Sequence, residues 1–134
     1  MYSVLIVDDD PVFVKTTKTI LESHGYHVDS AHDGEEALSK MKENLPDLVL
    51  LDVIMSWPLE GVAISREMMG TRELQRIPII MCTSVRDSEY RGLFPQDEYL
   101  HIDGWLDKPF SPSGLLSEVE ATLARYKKRY ARPS

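Results

Sequence analysis

The stretch VLIVDDDP, Val4 to Pro11, runs four apolar residues straight into three carboxylates and a proline. Ser3 to Val7 is short, β-branched and continuous, the pattern of a strand covered on both faces. Asp10 can accept N–H groups of a first helical turn, and the fixed φ of Pro11 suits the first helical position. The opening is therefore a buried strand that turns at once into a helix. Like charges side by side repel, so Asp8 and Asp9 at the strand end need a reason to be there.

The same alternation runs on. The first helix carries Val12, Ile20 and Leu21 and stops at Gly25. Tyr26 to Ala31 reads as a more polar strand, suited to a sheet edge. Asp33-Gly34-Glu35-Glu36 resembles a capping box with Asp as the cap, opening a helix with Ala37, Leu38 and Met41. Leu48 to Asp52 is the most hydrophobic strand, and a helix is expected from about Val62 to Met69. Ile77 to Cys82 is a fourth strand, Gly104 to Asp107 a fifth, and Ser113 to Tyr130 a long last helix. Between Val85 and Ile102 the pattern supports only a weak helix and a polar loop. Alternating strands and helices predict an α/β fold with a mostly parallel sheet and helices on both faces. Ligands of such sheets bind at the carboxyl ends of the strands.

The bulk numbers fit one soluble globular domain. There are 134 residues, 43% hydrophobic and 28% charged, with a net charge of −7. No apolar run approaches the about 20 residues of a membrane span, and the N-terminus has no signal-peptide pattern. The one cysteine, Cys82, cannot close an internal disulfide, which fits a reducing compartment, and burial in a core strand is its expected role. The spacing of His24, His27, His32 and His101 suggests no metal site; they read as surface or turn residues. An acidic body argues against general nucleic-acid binding. The basic end of the last helix, with Arg125, Lys127, Lys128, Arg129 and Arg132, suits the helix C-terminus or solvent, or docks an acidic partner or a nucleic acid.

In a parallel sheet the carboxylates meet. Asp8 and Asp9 end the first strand and Asp52 ends the third, and adjacent strands lie about 4.8 Å apart. If these two strands are neighbours, the acids share a pocket that needs a cation. Mg²⁺ accepts one or two carboxylates together with phosphate oxygens. Asp10 suits helix capping better than metal binding. Thr83 and Ser84 end the fourth strand, and Lys108-Pro109-Phe110 follows the fifth, so a hydroxyl and an ammonium reach the same edge. Such a set can hold a phosphoryl group on a carboxylate, with Asp52 as nucleophile. Decoration of a strand end remains the plain alternative for Asp8 and Asp9 alone.

LIVDDDP, LVLLDVIM, IPIIMCTS and GWLDKPF, in this order, resemble the receiver domain of two-component response regulators, almost from end to end. The resemblance implies a flavodoxin-like/CheY-like fold: a doubly wound sheet of five parallel strands in the order 2-1-3-4-5, with five helices. It implies a single receiver domain over residues 1–134 with no output domain. It implies Asp52 as phosphoacceptor, and Mg²⁺ (or Mn²⁺) held by Asp8, Asp9, Asp52 and the backbone carbonyl of Ile54. Thr83 matches the switch hydroxyl, Lys108 the lysine before a usually cis proline, and Trp105 the switch aromatic. The implied donor is a sensor histidine kinase, a phosphotransfer protein or a small molecule such as acetyl phosphate. Phosphorylation adds a charge of about −1.5 to −2, draws Thr83 toward the phosphoryl group and Trp105 inward, and reshapes the surface of the fourth helix, fifth strand and fifth helix. A downstream protein reads that change; a homodimer through this face is one form of it. The implied setting is cytoplasmic bacterial signalling, with no direct nucleic acid and no membrane insertion.

The sequence departs from the family in three places. After Asp52, Met55 is followed by Ser56, and the proline comes only at Pro58; Trp57 here packs on the next helix or anchors a partner. The segment from Thr83 to Lys108 is longer than usual and carries Tyr90, Phe94 and Tyr99, a candidate for partner specificity or a surface insertion. Trp105 is bulkier than the usual Tyr or Phe. The leading expectation is a stand-alone phosphoacceptor module, not an enzyme with a separate substrate. One alternative is a receiver-like scaffold that no longer responds to phosphate. Another is an Asp-nucleophile phosphatase, which typically has an acid where Ile54 stands. A flavodoxin-type cofactor carrier needs a phosphate-cradling loop where this chain has VDDDP.

Overall fold

The computed structural model describes residues 2–52, 60–84 and 102–129, with the side chains of Val62, Ser84 and residues 127–129 outside the description. Five parallel strands form one sheet in the order β2-β1-β3-β4-β5. They are β1 (Ser3–Val7), β2 (His27–Ala31), β3 (Leu48–Asp52), β4 (Ile79–Ser84) and β5 (Gly104–Lys108). The described helices are α1 (Pro11–Glu22), α2 (Gly34–Glu43), α3 (Glu60–Met69) and α4 (Pro112–Arg129). The expected strand order and fold class are both present. The weak helix placed between Val85 and Ile102 lies outside the described residues, as do Tyr90, Phe94, Tyr99, His101 and Arg132.

The strands read as continuous apolar runs because both faces are covered. Leu5, Val7, Val49, Leu51, Ile79 and Met81 pack with Ala37, Met41, Ile64 and Met68 of α2 and α3. The alternate residues Val4, Ile6, Leu48, Leu50, Ile80 and Cys82 pack with Leu21 of α1 and with Leu115, Val119 and Leu123 of α4. Each fully buried Leu, Ile or Val contributes about 1.5–3 kcal/mol, so these two layers hold the sheet. β2, the most polar strand, is an edge strand, as its sequence suggests.

Local chemistry fixes the element ends. Asp10 caps α1, its Oδ1 accepting the N–H groups of Val12 at 3.0 Å and Phe13 at 3.3 Å. After α1, the Tyr26 N–H donates to the Leu21 carbonyl and the Gly25 N–H to the Glu22 carbonyl, both at 3.1 Å. This closure needs a left-handed residue, and Gly25 has φ 89°. Asp33 caps α2 through the Glu36 N–H at 2.8 Å. The capping box closes differently from its usual form: the Glu36 carboxylate accepts the backbone N–H of His32 at 2.9 Å, not that of Asp33, and meets the His32 ring at 3.0 Å.

Several boundaries shift by a residue or two from the sequence reading, and two of the shifts have a visible cause. β4 starts at Ile79, not Ile77. The Ile77 N–H is taken by the Leu74 carbonyl in the preceding turn, and Pro78 has no N–H for the ladder, though its carbonyl accepts the Val49 N–H at 3.0 Å. α3 starts at Glu60, which is buried and accepts the Gly34 N–H at 3.2 Å, tying the start of α3 to that of α2.

Two outcomes follow from these ends. A Cβ at Gly25 meets nothing within 4 Å, so Gly25→Ala adds only left-handed backbone strain. Stability to urea should fall by about 1 kcal/mol, and an unchanged unfolding midpoint contradicts the closure described. The hydrogen bond to Glu36, then the charges of Glu36 and Asp33, raise the His32 pKa above its ordinary 6.5. A raised folded-state pKa stabilises the fold below the unfolded-state pKa, and that contribution is lost as pH rises through the folded value. An NMR titration should show His32 titrating above 6.5 and moving down in Glu36→Gln; equal midpoints in the two proteins contradict the pairing.

Candidate functional site

The parallel register builds the site at the carboxyl edge of the sheet. Val7 of β1 pairs with Leu51 of β3, so the residues that follow, Asp8 and Asp52, end side by side. Asp8 and Asp52 are buried and Asp9 is exposed, and each offers an oxygen within 4.8 Å of the others. Asp8 is held from both ends: its N–H donates to the Ala31 carbonyl at 3.0 Å, and its Oδ1 accepts the Asp10 N–H at 2.9 Å. Asp10 stays out of the cluster and caps α1, as expected.

Lys108, from the far end of the chain, enters this cluster. Its Nζ lies 2.8 Å from Asp8 Oδ2 and 3.4 Å from Asp52 Oδ1. Burial of Lys108 opposes its charge, but the hydrogen bond to Asp8 and the charges of Asp52 and Asp8 prevail, and its pKa is raised. Phe13 of α1 lies under the ammonium, 4.1 Å from ring centroid to Nζ, and is met edge-on by Phe110 at 5.6 Å. An aromatic face adds further attraction for a cation. The Lys108–Pro109 peptide bond is cis, as the resemblance implies. Cys82, opposite Asp52 in the β3–β4 register, is buried, and burial pushes its thiol up to about 12. It is an inert packing residue at neutral pH.

Thr83 is also buried at this edge, but its hydroxyl is engaged elsewhere. Its Oγ1 donates to Asp107 Oδ1 at 3.0 Å, across the β4–β5 register that pairs the two residues. Sequence reasoning missed Asp107, because only the register reveals its contact with Thr83. Trp105, on the same strand, is 48% exposed. Ile54, together with Met55, Ser56, Trp57 and Pro58, lies outside the described residues.

Chemically, the edge collects hard oxygen donors and one ammonium. Two buried carboxylates and an exposed one make a donor set suited to Mg²⁺ in charge and atom type. Asp52 points into the same cluster as a potential nucleophile, with a cation beside it. Among the described residues, no helix is long and apolar enough to cross a membrane.

Comparison with known proteins gives the family. The response regulator MprA of Mycobacterium tuberculosis is 36% identical over 124 residues, covering 92% of this chain and 51% of that protein. The alkaline phosphatase synthesis transcriptional regulatory protein PhoP of Bacillus subtilis is 35% identical over 122 residues, covering 91% of this chain and 48% of that protein. The chain thus spans about half the length of the curated relatives it matches. The solved structure of the chemotaxis response regulator CheY4 of Vibrio cholerae aligns with a TM-score of 0.79 at 30% identity, covering 91% of this chain and 98% of that one. The family model for the response regulator receiver domain matches residues 4–120, and the chain belongs to that family.

Proposed function

We propose that this receiver accepts a phosphoryl group on Asp52 and passes the signal on through protein contacts. The observation that carries the proposal is the Lys108 ammonium lodged between Asp8 and Asp52, in a cluster where Asp9 also contributes an oxygen. The donor is a phosphohistidine on a sensor kinase or phosphotransfer protein, or acetyl phosphate. A carboxylate oxygen of Asp52 attacks phosphorus, the P–N bond of phosphohistidine or the P–O bond to acetate breaks, and an acyl phosphate forms. Lys108 is placed to offset the charge that gathers on the transferring group. Asp8, Asp9 and Asp52 would hold Mg²⁺, which when bound supplies positive charge to phosphoryl oxygens. Thr83 then donates its hydroxyl proton to a phosphoryl oxygen, and Trp105 follows as the β4–β5 edge rearranges. The chain catalyses only its own phosphorylation and dephosphorylation, and it works in the cytoplasm, where such donors are made.

Incubation with Mg²⁺ and acetyl phosphate tests the acceptor. Intact mass should show one hydroxylamine-labile phosphoryl adduct on the wild type and none on Asp52→Asn. An equal adduct on the variant moves the acceptor elsewhere, and none on the wild type with a cognate kinase present removes the function. Lys108→Met should lower the adduct formation rate about 100-fold, as loss of a charge-stabilising group does. It should also cost about 2 kcal/mol of stability in metal-free buffer, because two buried carboxylates lose their cation. Added Mg²⁺ should restore part of that loss; a variant as stable as wild type without metal contradicts the role of the ammonium.

A further inference from the structure

We propose that Asp107 is a positioning residue that competes with the phosphoryl group for the Thr83 hydroxyl, and so sets how readily this receiver switches. The inference rests on the reading of Thr83 given above. Thr83 is 1% exposed, and its Oγ1 donates to Asp107 Oδ1 at 3.0 Å. A threonine hydroxyl carries a single proton. It can satisfy Asp107 or a phosphoryl oxygen on Asp52, not both. Burial denies the Thr83 hydroxyl an easy exchange to water, so leaving Asp107 means giving up a bond that only the new acceptor replaces. A carboxylate acceptor makes this a charge-assisted bond, stronger than one to a neutral group.

The placement gives the competition a direction. Thr83 and Asp107 are register partners on β4 and β5. Side chains alternate along a strand, so Trp105 and Asp107 leave β5 on one face, while Leu106 and Lys108 leave on the other. Lys108 serves the acid cluster, and its sequence neighbour Asp107 accepts the hydrogen bond of the Thr83 hydroxyl. Adjacent residues of one strand thus act on opposite sides of the same decision. No covalent bond is made or broken in this exchange; the Thr83 hydroxyl gives up one hydrogen-bond acceptor for another.

The test is a double-mutant cycle read by calorimetric binding of fluoroberyllate, a phosphoryl mimic, to the full chain in Mg²⁺. Asp107→Ala should bind about tenfold more tightly than wild type, the scale of one charge-assisted hydrogen bond no longer to be broken. Asp107→Asn keeps an acceptor without the charge and should gain less. In a Thr83→Ala background, Asp107→Ala should change the affinity by less than about twofold, since no hydroxyl remains to compete for. A gain that persists in that background reflects only the removed negative charge and overturns the proposal, as does unchanged affinity in Asp107→Ala. If Asp107→Ala fails to fold by circular dichroism, the cycle with Asp107→Asn decides by the same criteria. If wild type binds no fluoroberyllate, the phosphoacceptor reading falls and this inference with it; additive effects in a wild type that does bind sink the inference alone.

Discussion

The rim of the sheet depends on one ammonium. Lys108 lies 2.8 Å from Asp8 and 3.4 Å from Asp52, and without it two buried carboxylates lose the ammonium that lies against both. Their mutual repulsion at that depth is screened far less than at the surface. The surroundings of Lys108 keep it in place: the Phe13 face lies beneath it, and Phe110 braces Phe13. The same pair of contacts joins the end of β5 to the start of α1, so the charge balance of the site is also a structural tie between two elements far apart in sequence.

Charge at this rim is concentrated by design of the fold, not by local sequence alone. A parallel sheet brings every strand's carboxyl end to one edge, and four of the five strands here deliver a polar group to the site. β1 delivers Asp8 and β3 delivers Asp52. β4 delivers Thr83 and β5 delivers Asp107 and Lys108. The apolar residues behind them are fully buried in two layers, which gives the polar groups a stiff base. Precise placement by a rigid scaffold is what an acceptor carboxylate needs, because the reaction asks little more of the protein than position and charge.

Much of this was legible in the sequence, and the parts that were not share a cause. Continuous apolar runs announced β1, β3 and β4, and Asp10-Pro11 announced α1, because those signals are local. The Asp8–Asp52 encounter was legible once the strand order was granted. The start of β4 was misjudged by two residues because Ile77 is buried like a strand residue while its N–H serves a turn. The Lys108–Asp8 pair spans 100 positions and depends on side-chain reach, so the sequence showed a lysine at the edge but not its partner. The Thr83–Asp107 bond depends on the β4–β5 register, which no motif encodes. The carbonyl of Ile54, legible only through the resemblance, and the Trp57 loop, legible as a departure from it, fall outside the described residues.

The most direct measurement traps the acyl phosphate in place. After phosphorylation by acetyl phosphate, borohydride reduces an aspartyl phosphate to homoserine, and peptide sequencing by mass spectrometry locates it. The account predicts homoserine at position 52 and at no other aspartate. Homoserine at Asp8 or Asp9, or unmodified peptides throughout from a protein shown to carry phosphate, would contradict it.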